Sequence, residues 1–152
     1  RPRARDGRFV ARAAAFTGTL MLLVVGALPT PVNVTLPEAA ATVSTPLIIL
    51  AFVIALLGLG ALRRNLSIIP EARRLVTSGP YRFIRHPLYL GELLAAIATV
   101  MAGPGLWSLV ALPVYFAVQM TRAHFEEQLL TRTFPEYRAY AARTKRLIPL
   151  VW

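Results

Sequence analysis

The chain has 152 residues, of which 56% are hydrophobic, and it carries a formal net charge of +10 at pH 7. This length is enough for one domain, and we predict that residues 1–152 form a single domain. A basic chain can bind nucleic acid, but all 17 lysines and arginines fall in three blocks separated by apolar stretches. Membrane topology explains such blocks, so nucleic acid is not an expected partner. The absence of cysteine excludes disulfides, thiolate catalysis and cysteine-based metal sites.

The apolar stretches predict four membrane-spanning helices. A helix needs roughly 20 apolar residues to cross the hydrocarbon core, so the last two predicted spans are short and favour a tilted hairpin. Gly103-Pro104-Gly105 divides them, because glycine and proline break helices. The segment from Pro29 to Pro46 is predicted to be the loop that joins the first two spans on the outer side. The predicted spans are residues 10–28, 46–62, 88–102 and 106–120.

The basic blocks predict the orientation of these spans. Lysine and arginine of short loops stay on the cytoplasmic side, and two pairs of spans keep all three blocks there. Residues 63–87 and 121–152 are then cytoplasmic, as are both termini. The high alanine and arginine content indicates a GC-rich bacterial source, and we predict a multi-pass protein of the bacterial inner membrane. The expected fold class is all-α, an integral membrane helical bundle.

The region after the last predicted span is expected to be helical and then interfacial. Residues 121–132 are predicted to form a helix that leaves the membrane and is interrupted at Phe134-Pro135. The segment 136–146 is amphipathic and carries Tyr137 and Tyr140 on one face, which is typical of a helix at the membrane surface.

Two cytoplasmic stretches, 75–91 and 122–127, hold the polar side chains that could carry chemistry. Glu92, at the mouth of the third span, is a further candidate, because an ionisable group at membrane depth usually has a function. Each residue alone has a structural interpretation: His86 can cap a helix, and Arg122 and Glu126, four residues apart, can form a surface ion pair. Tyrosines here can also be interfacial anchors. Two histidines 38 positions apart, without cysteine, do not predict a metal site.

Together these stretches resemble a known family. The pattern Gly-Pro-Tyr-Arg-x-x-Arg-His-Pro-x-Tyr-x-Gly at 79–91, followed by Glu-Glu-x-x-Leu at 126–130, is similar to the signature of the isoprenylcysteine carboxyl methyltransferase family. That family is related to the phospholipid methyltransferases. The resemblance covers about residues 75–149, because the residues of the family's C-terminal region follow: Phe134, Tyr137, Tyr140, Arg146 and Ile148-Pro149.

The resemblance implies that S-adenosylmethionine binds between the helical hairpin and the cytoplasmic segments. It gives Arg122 a role with the substrate and in catalysis. The cofactor-binding residues that it implies are Leu75 and Val76 at the adenosine end, Tyr81, His86, Pro87 and Tyr89 along the site, and Glu126, with Glu127 as second acid, at the methionine end.

The methyl acceptor stays open at this point. A carboxylate needs no general base, whereas an amine must first lose a proton, and no residue is evidently placed as a base. This favours carboxyl O-methylation of an isoprenylcysteine-like or other lipophilic substrate that enters from the bilayer, although a bacterial source does not predict prenylated proteins. The alternatives are methylation of a phospholipid amine, a hydroxyl or a small thiol, and a non-catalytic membrane protein that retains the fold. Membrane lipids are expected partners.

Overall fold

The structure is a computed structural model that describes residues 4–5, 13, 17, 20, 35, 37–62, 71–72, 75–103 and 105–148. Nearly all of the predicted first span, residues 10–28, lies outside the described residues. The same holds for residues 63–70 and 73–74 of the predicted cytoplasmic loop and for the C-terminal residues 149–152.

Helices dominate the described residues. Two strands of two residues each, β1 (Ala4–Arg5) and β2 (Glu71–Ala72), pair antiparallel with Ala4 opposite Ala72. Apart from this pair, the prediction of an all-α fold is confirmed. The helices are α1 (Glu38–Leu62), a 3-10 helix (Gly79–Arg82), α2 (Pro87–Ala102), α3 (Leu106–Thr133) and α4 (Tyr137–Arg143).

Helix α1 begins earlier than predicted. The loop prediction is wrong for residues 38–45, and Pro46 lies inside the helix rather than at its first turn. Pro46 removes only one backbone N–H from the helix. The alanines that precede it have a high helix propensity, and Glu38 places a favourable negative charge in the first turn. The hydroxyl of Ser44 also donates to the carbonyl of Ala41 at 2.7 Å.

Among the described residues, α1 is the one helix that is both long and apolar enough to cross a membrane. Only 11% of its most apolar 18-residue stretch is buried, which distinguishes it from the core helix of a soluble protein. Phe52, Leu56 and Leu57 are all more than half exposed, and such side chains suit a lipid environment. Helix α2 is apolar but has only 16 residues. The number of spans beyond α1 stays a prediction.

The most extensive helix contact in the described part joins α1 to α2, and Gly91 makes it possible. A Cβ atom at Gly91 would lie 2.9 Å from the carbonyl oxygen of Ala51 and 3.1 Å from the Cβ of Ala55. Gly58 of α1 similarly faces Leu88, whereas Gly60 has open space around it. The final Gly of the 79–91 motif therefore fixes the start of α2 against α1.

The predicted break between the last two spans is confirmed. Helix α2 ends at Ala102 and α3 begins at Leu106, where Ser108 accepts a hydrogen bond from the N–H of Gly105 at 2.9 Å. Helix α3 has 28 residues, about 42 Å at 1.5 Å per residue, and so continues well past the predicted span 106–120.

The chain then turns at Pro135 into α4. Tyr137 and Tyr140 lie on one face of α4, as predicted, with their rings edge to face at a centroid distance of 5.8 Å. Both side chains are buried in a cluster with Leu129 and Phe134, so this tyrosine face packs inside the protein against α3.

Candidate cofactor and acceptor site

The loop before α2 is fixed to the C-terminal segment. Gly79 has a φ of 61°, a left-handed conformation that glycine adopts without strain, and it starts the 3-10 helix that buries Tyr81. The hydroxyl of Tyr140 donates to the carbonyl of Tyr81 at 2.7 Å. Farther along, Ile84 forms a parallel bridge with Lys145, and the N–H of His86 donates to the carbonyl of Arg146 at 3.1 Å. These contacts set the position of His86.

His86 lies at the N-cap position of α2 but makes no side-chain capping hydrogen bond. Its ring is buried and stacks parallel to the ring of Tyr89, with 5.2 Å between the centroids. Its Nε2 lies 3.1 Å from Glu127, and its Nδ1 lies 3.7 Å from Glu126. His86 therefore joins the two acids of the Glu-Glu motif, and capping is not its role in this structure.

Glu127 is the centre of what we call the Glu127 cluster: Arg85, His86, Glu127 and Arg146. Arg85 Nε donates to Oε1 at 2.7 Å and Arg146 Nη2 donates to Oε2 at 2.5 Å. Burial raises the pKa of the Glu127 carboxyl, but the hydrogen bonds from His86, Arg146 and Arg85 outweigh it and hold that pKa well below its usual range. Both oxygens are thus engaged by the protein itself.

Glu126 has a more open environment. Its Oε2 accepts a hydrogen bond from the hydroxyl of Tyr89 at 2.8 Å. Its side chain is 39% exposed, compared with 14% for Glu127. Within the described ranges, no hydrogen bond ends on its Oε1. Glu126 therefore has an oxygen available for a cationic ligand.

Arg122 does not pair with Glu126, although the two share a face of α3. Its Nη1 donates to Gln119 Oε1 at 2.7 Å and lies 3.4 Å from Glu92 Oε2. Its guanidinium lies over the ring of Tyr89, 4.8 Å from the centroid. Arg122 is thus a buried side chain held by α2 and α3, and the interpretation as a surface ion pair does not describe it.

Two residues of this site, Tyr115 and Gln119, were not predicted from the sequence. Both are almost completely buried, and both donate hydrogen bonds to Glu92 Oε2, Tyr115 at 3.3 Å. The sequence does carry a signal for them, since Tyr115, Gln119 and Arg122 are spaced by four and three residues and share a helix face. We call Glu92, Tyr115, Gln119 and Arg122 the Glu92 network.

The remaining predicted residues lie in the loop before α2 and at the first position of α2. Leu75 packs against the buried cluster that contains Phe134, Tyr137 and Tyr140, and Val76 beside it is half-buried. Pro87 is fully buried as the first residue of α2, so it fixes the start of the helix that carries Tyr89 and Glu92. Burial raises the pKa of Tyr81, and the negative charge of Glu126 raises it further.

These residues fit the chemistry of S-adenosylmethionine. An open carboxylate, Glu126, suits an ammonium group, and apolar Leu75 and Val76 suit an adenosine. The hydroxyl of Tyr137 is the one buried side-chain polar atom in the described part of the chain without a hydrogen-bond partner. A buried donor without a partner is costly, so it is available to a ligand atom.

The two motifs and their placement before α2 and on α3 resemble those of membrane methyltransferases, and comparison with known families agrees. A sequence profile of the phospholipid methyltransferase family matches residues 39–137, well over half of the chain. The chain therefore belongs to this family, which is part of the membrane methyltransferase group related to isoprenylcysteine carboxyl methyltransferase. The resemblance that the two motifs indicate is confirmed.

The chain is also similar to two bacterial proteins. It is 37% identical over 76 residues to the cobalt-zinc-cadmium resistance protein CzcN of Cupriavidus metallidurans, a match that covers 49% of this chain and 35% of that protein. It is 32% identical over 80 residues to the nickel-cobalt-cadmium resistance protein NccN of Alcaligenes xylosoxydans xylosoxydans, covering 52% and 38%. Each match spans little more than a third of the relative.

Proposed function

We propose that this protein transfers a methyl group from S-adenosylmethionine to the head of a lipophilic acceptor that reaches the site from the bilayer. The observation that carries the proposal is the open carboxylate of Glu126, held by Tyr89 beside His86, in a chain of a methyltransferase family. This family generally uses S-adenosylmethionine.

The chain's own residues would bind and orient the reactants. Glu126 would hold the ammonium group, Tyr137 would donate to a polar atom, and Leu75 and Val76 would contact the adenosine. Tyr81, His86 and Tyr89 would line the site, with Pro87 and Glu127 supporting them from behind. When bound, the cofactor supplies a methyl group that its sulfonium already activates, so the protein mainly positions the two reactants and excludes water.

Arg122 is the proposed catalytic residue, because it is fixed between Tyr89, Gln119 and Glu92 at the base of the site. If the protein has four spans and both termini are cytoplasmic, Arg122 would lie at the cytoplasmic interface of a bacterial inner membrane. Carboxyl O-methylation of an isoprenylcysteine-like substrate stays a prediction. The alternative acceptors are a phospholipid amine, a hydroxyl and a small thiol, and the non-catalytic alternative is a membrane protein that retains the fold.

Calorimetric titration of the detergent-solubilised protein with S-adenosylhomocysteine tests the cofactor assignment. We expect saturable binding that Glu126→Gln weakens about tenfold, since a charge-assisted hydrogen bond contributes about 1.5–3 kcal/mol. Glu136→Gln is the matched control, because Glu136 is exposed at the start of α4 and outside the site. Equal affinity in all three proteins would remove Glu126 from the site, and folded protein without binding would support the non-catalytic alternative.

A further inference from the structure

The Glu92 network exposes its negative member and buries its positive one. The side chain of Arg122 is 9% exposed, whereas that of Glu92, 3.4 Å away, is 39% exposed. The Arg122 nitrogen that lies nearest to Glu92, Nη1, also donates a hydrogen bond to Gln119 Oε1 at 2.7 Å. A molecule that approaches this network therefore meets a carboxylate before it meets the guanidinium.

The hydrogen bonds of the network leave one oxygen of Glu92 open. Tyr115, Gln119 and Arg122 all donate to Oε2, and in the described part of the chain no hydrogen bond ends on Oε1. Three donors on one oxygen fix the orientation of the carboxylate. The other oxygen can then accept a proton or a hydrogen bond from outside the network.

Other candidate bases are placed less well. Both oxygens of Glu127 are engaged by Arg85 and Arg146, and His86 is buried between the two acids of the motif. His124 is exposed and contacts Gln128 one turn along α3. Glu92 is the described carboxylate that is oriented by buried partners, adjoins Arg122 and retains an open oxygen.

We propose that Glu92 is the proton-accepting residue of the acceptor subsite, and that the site takes an acceptor that loses a proton on methylation. This inference rests on the proposed methyltransferase function and names its acceptor chemistry as an amine, hydroxyl or thiol. A carboxylate acceptor would lie against Glu92, where two like charges repel each other. A carboxylate also has no proton to give up.

The step balances in atoms and electrons. A lone pair on the acceptor atom forms the new bond to the methyl carbon, and the carbon–sulfur bond breaks with its electron pair left on sulfur. The proton of the acceptor atom goes to Oε1 of Glu92. An amine that enters protonated gives its first proton to Glu92 before the transfer, and the methylated ammonium that results keeps the rest.

Four single-chain amphiphiles with the same hydrocarbon test the acceptor class: hexadecylamine, hexadecanol, hexadecanethiol and hexadecanoate. Each is offered in detergent with radiolabelled S-adenosylmethionine to the wild type, Glu92→Gln, Glu92→Asp and Glu38→Gln. We expect transfer to at least one of the first three and none to hexadecanoate. Glu92→Gln should lower kcat about 100-fold, the lower range for general-base catalysis, and Glu92→Asp should restore part of it. Glu38→Gln, at the exposed start of α1, should match the wild type.

A binding measurement covers the case in which none of the four is turned over. With S-adenosylhomocysteine present, hexadecylamine should bind about tenfold more weakly to Glu92→Gln than to the wild type, and hexadecanoate should bind more tightly. An unchanged head-group preference, or methylation of hexadecanoate by the wild type, would overturn the proposal. Binding of S-adenosylhomocysteine alone should be the same in both proteins. Its loss from the wild type would count against the methyltransferase function itself, so the two failures are distinguishable.

Discussion

Glu127 connects three segments that are far apart in the sequence. Its oxygens accept hydrogen bonds from Arg85, before α2, and from Arg146, after α4, while Glu127 itself lies on α3. Arg85 also donates to the carbonyl of Thr144 at 2.5 Å. Because these charges are largely buried, removing the carboxylate would remove the negative charge that both guanidinium groups contact.

The Glu127→Gln substitution should therefore lower the stability of the protein by about 3 kcal/mol, the range for removing one member of a buried ion pair. Thermal unfolding in detergent measures this, with Glu136→Gln as the exposed control. A melting temperature equal to that of the control would show that the Glu127 cluster contributes little to stability.

The same residue predicts a dependence of stability on acid. The pKa of Glu127 is lower in the folded protein than its ordinary value of 4.5, so its contribution is complete above that value and is lost as the pH falls through the folded-state pKa. The loss of stability between pH 5 and pH 3 should be smaller in Glu127→Gln than in the wild type. Parallel acid profiles of the two proteins would contradict this.

Tyr137 and Tyr140 offer a matched pair of substitutions. The hydroxyl of Tyr137 has no hydrogen-bond partner in the described part, whereas that of Tyr140 donates to the Tyr81 carbonyl. Without ligand, Tyr137→Phe should leave the melting temperature equal or higher, and Tyr140→Phe should lower it. Tyr137→Phe should also weaken binding of S-adenosylhomocysteine about fivefold, as expected for one hydrogen bond. A lower melting temperature together with unchanged affinity would make Tyr137 purely structural.

At the scale of elements, the contact of α1 with α2 determines where the site residues begin. A methyl group at Gly91 would collide with the backbone of α1, at the carbonyl of Ala51 and the N–H of Ala55. Since backbone cannot rotate away, the helices would have to separate, and His86, Tyr89 and Glu92 would move with α2.

We expect Gly91→Ala to destabilise the protein by about 1–3 kcal/mol, the usual range for overpacking, and to weaken binding of S-adenosylhomocysteine. Gly60→Ala is the control on α1, because nothing lies within 4 Å of its added methyl group. An alanine there should be neutral or slightly stabilising, as glycine disfavours helices. Equal stability of the two variants in thermal unfolding would show that α1 and α2 separate without cost.

The continuity of α3 has a consequence for the site. One helix carries Tyr115, Gln119 and Arg122, and Glu126 and Glu127 follow one turn farther along it. The proposed acceptor subsite and cofactor subsite therefore keep a fixed separation along a single rigid element. This favours a reaction in which positioning supplies much of the rate.

At the scale of the whole molecule, the predicted four-span topology can be tested by cysteine labelling, because the chain has no cysteine of its own. Single cysteines at exposed positions, Ser78→Cys before α2 and Gly103→Cys between α2 and α3, can be labelled with a membrane-impermeant maleimide. We expect Gly103→Cys to react in intact spheroplasts and Ser78→Cys to react only after lysis. Reaction of both positions from the same side would place α2 and the first half of α3 outside the bilayer or inside it as a re-entrant hairpin.

The family and the helical character of this protein follow from local features of its sequence. Its apolar stretches and basic blocks indicated helices at a membrane, and its two motifs indicated the methyltransferase family, since both signals are local in the chain. The break at Gly103–Gly105 and the tyrosine face of α4 were predictable for the same reason. The extension of α1 to residues before Pro46 was not predictable, because a proline is common in the first turn of a helix and therefore indicated a helix start at Pro46.

The pairing of charged side chains, in contrast, depends on how the helices pack. Sequence spacing paired Arg122 with Glu126, yet Arg122 lies against Glu92 of α2, and Glu127 rather than Glu126 holds the two arginines. Partners 19 to 42 residues apart depend on how the helices pack, and no local pattern encodes that packing. The burial of Arg122 and the exposure of Glu92, which set the proposed acceptor chemistry, follow from the same packing, because solvent access is a property of neighbouring elements.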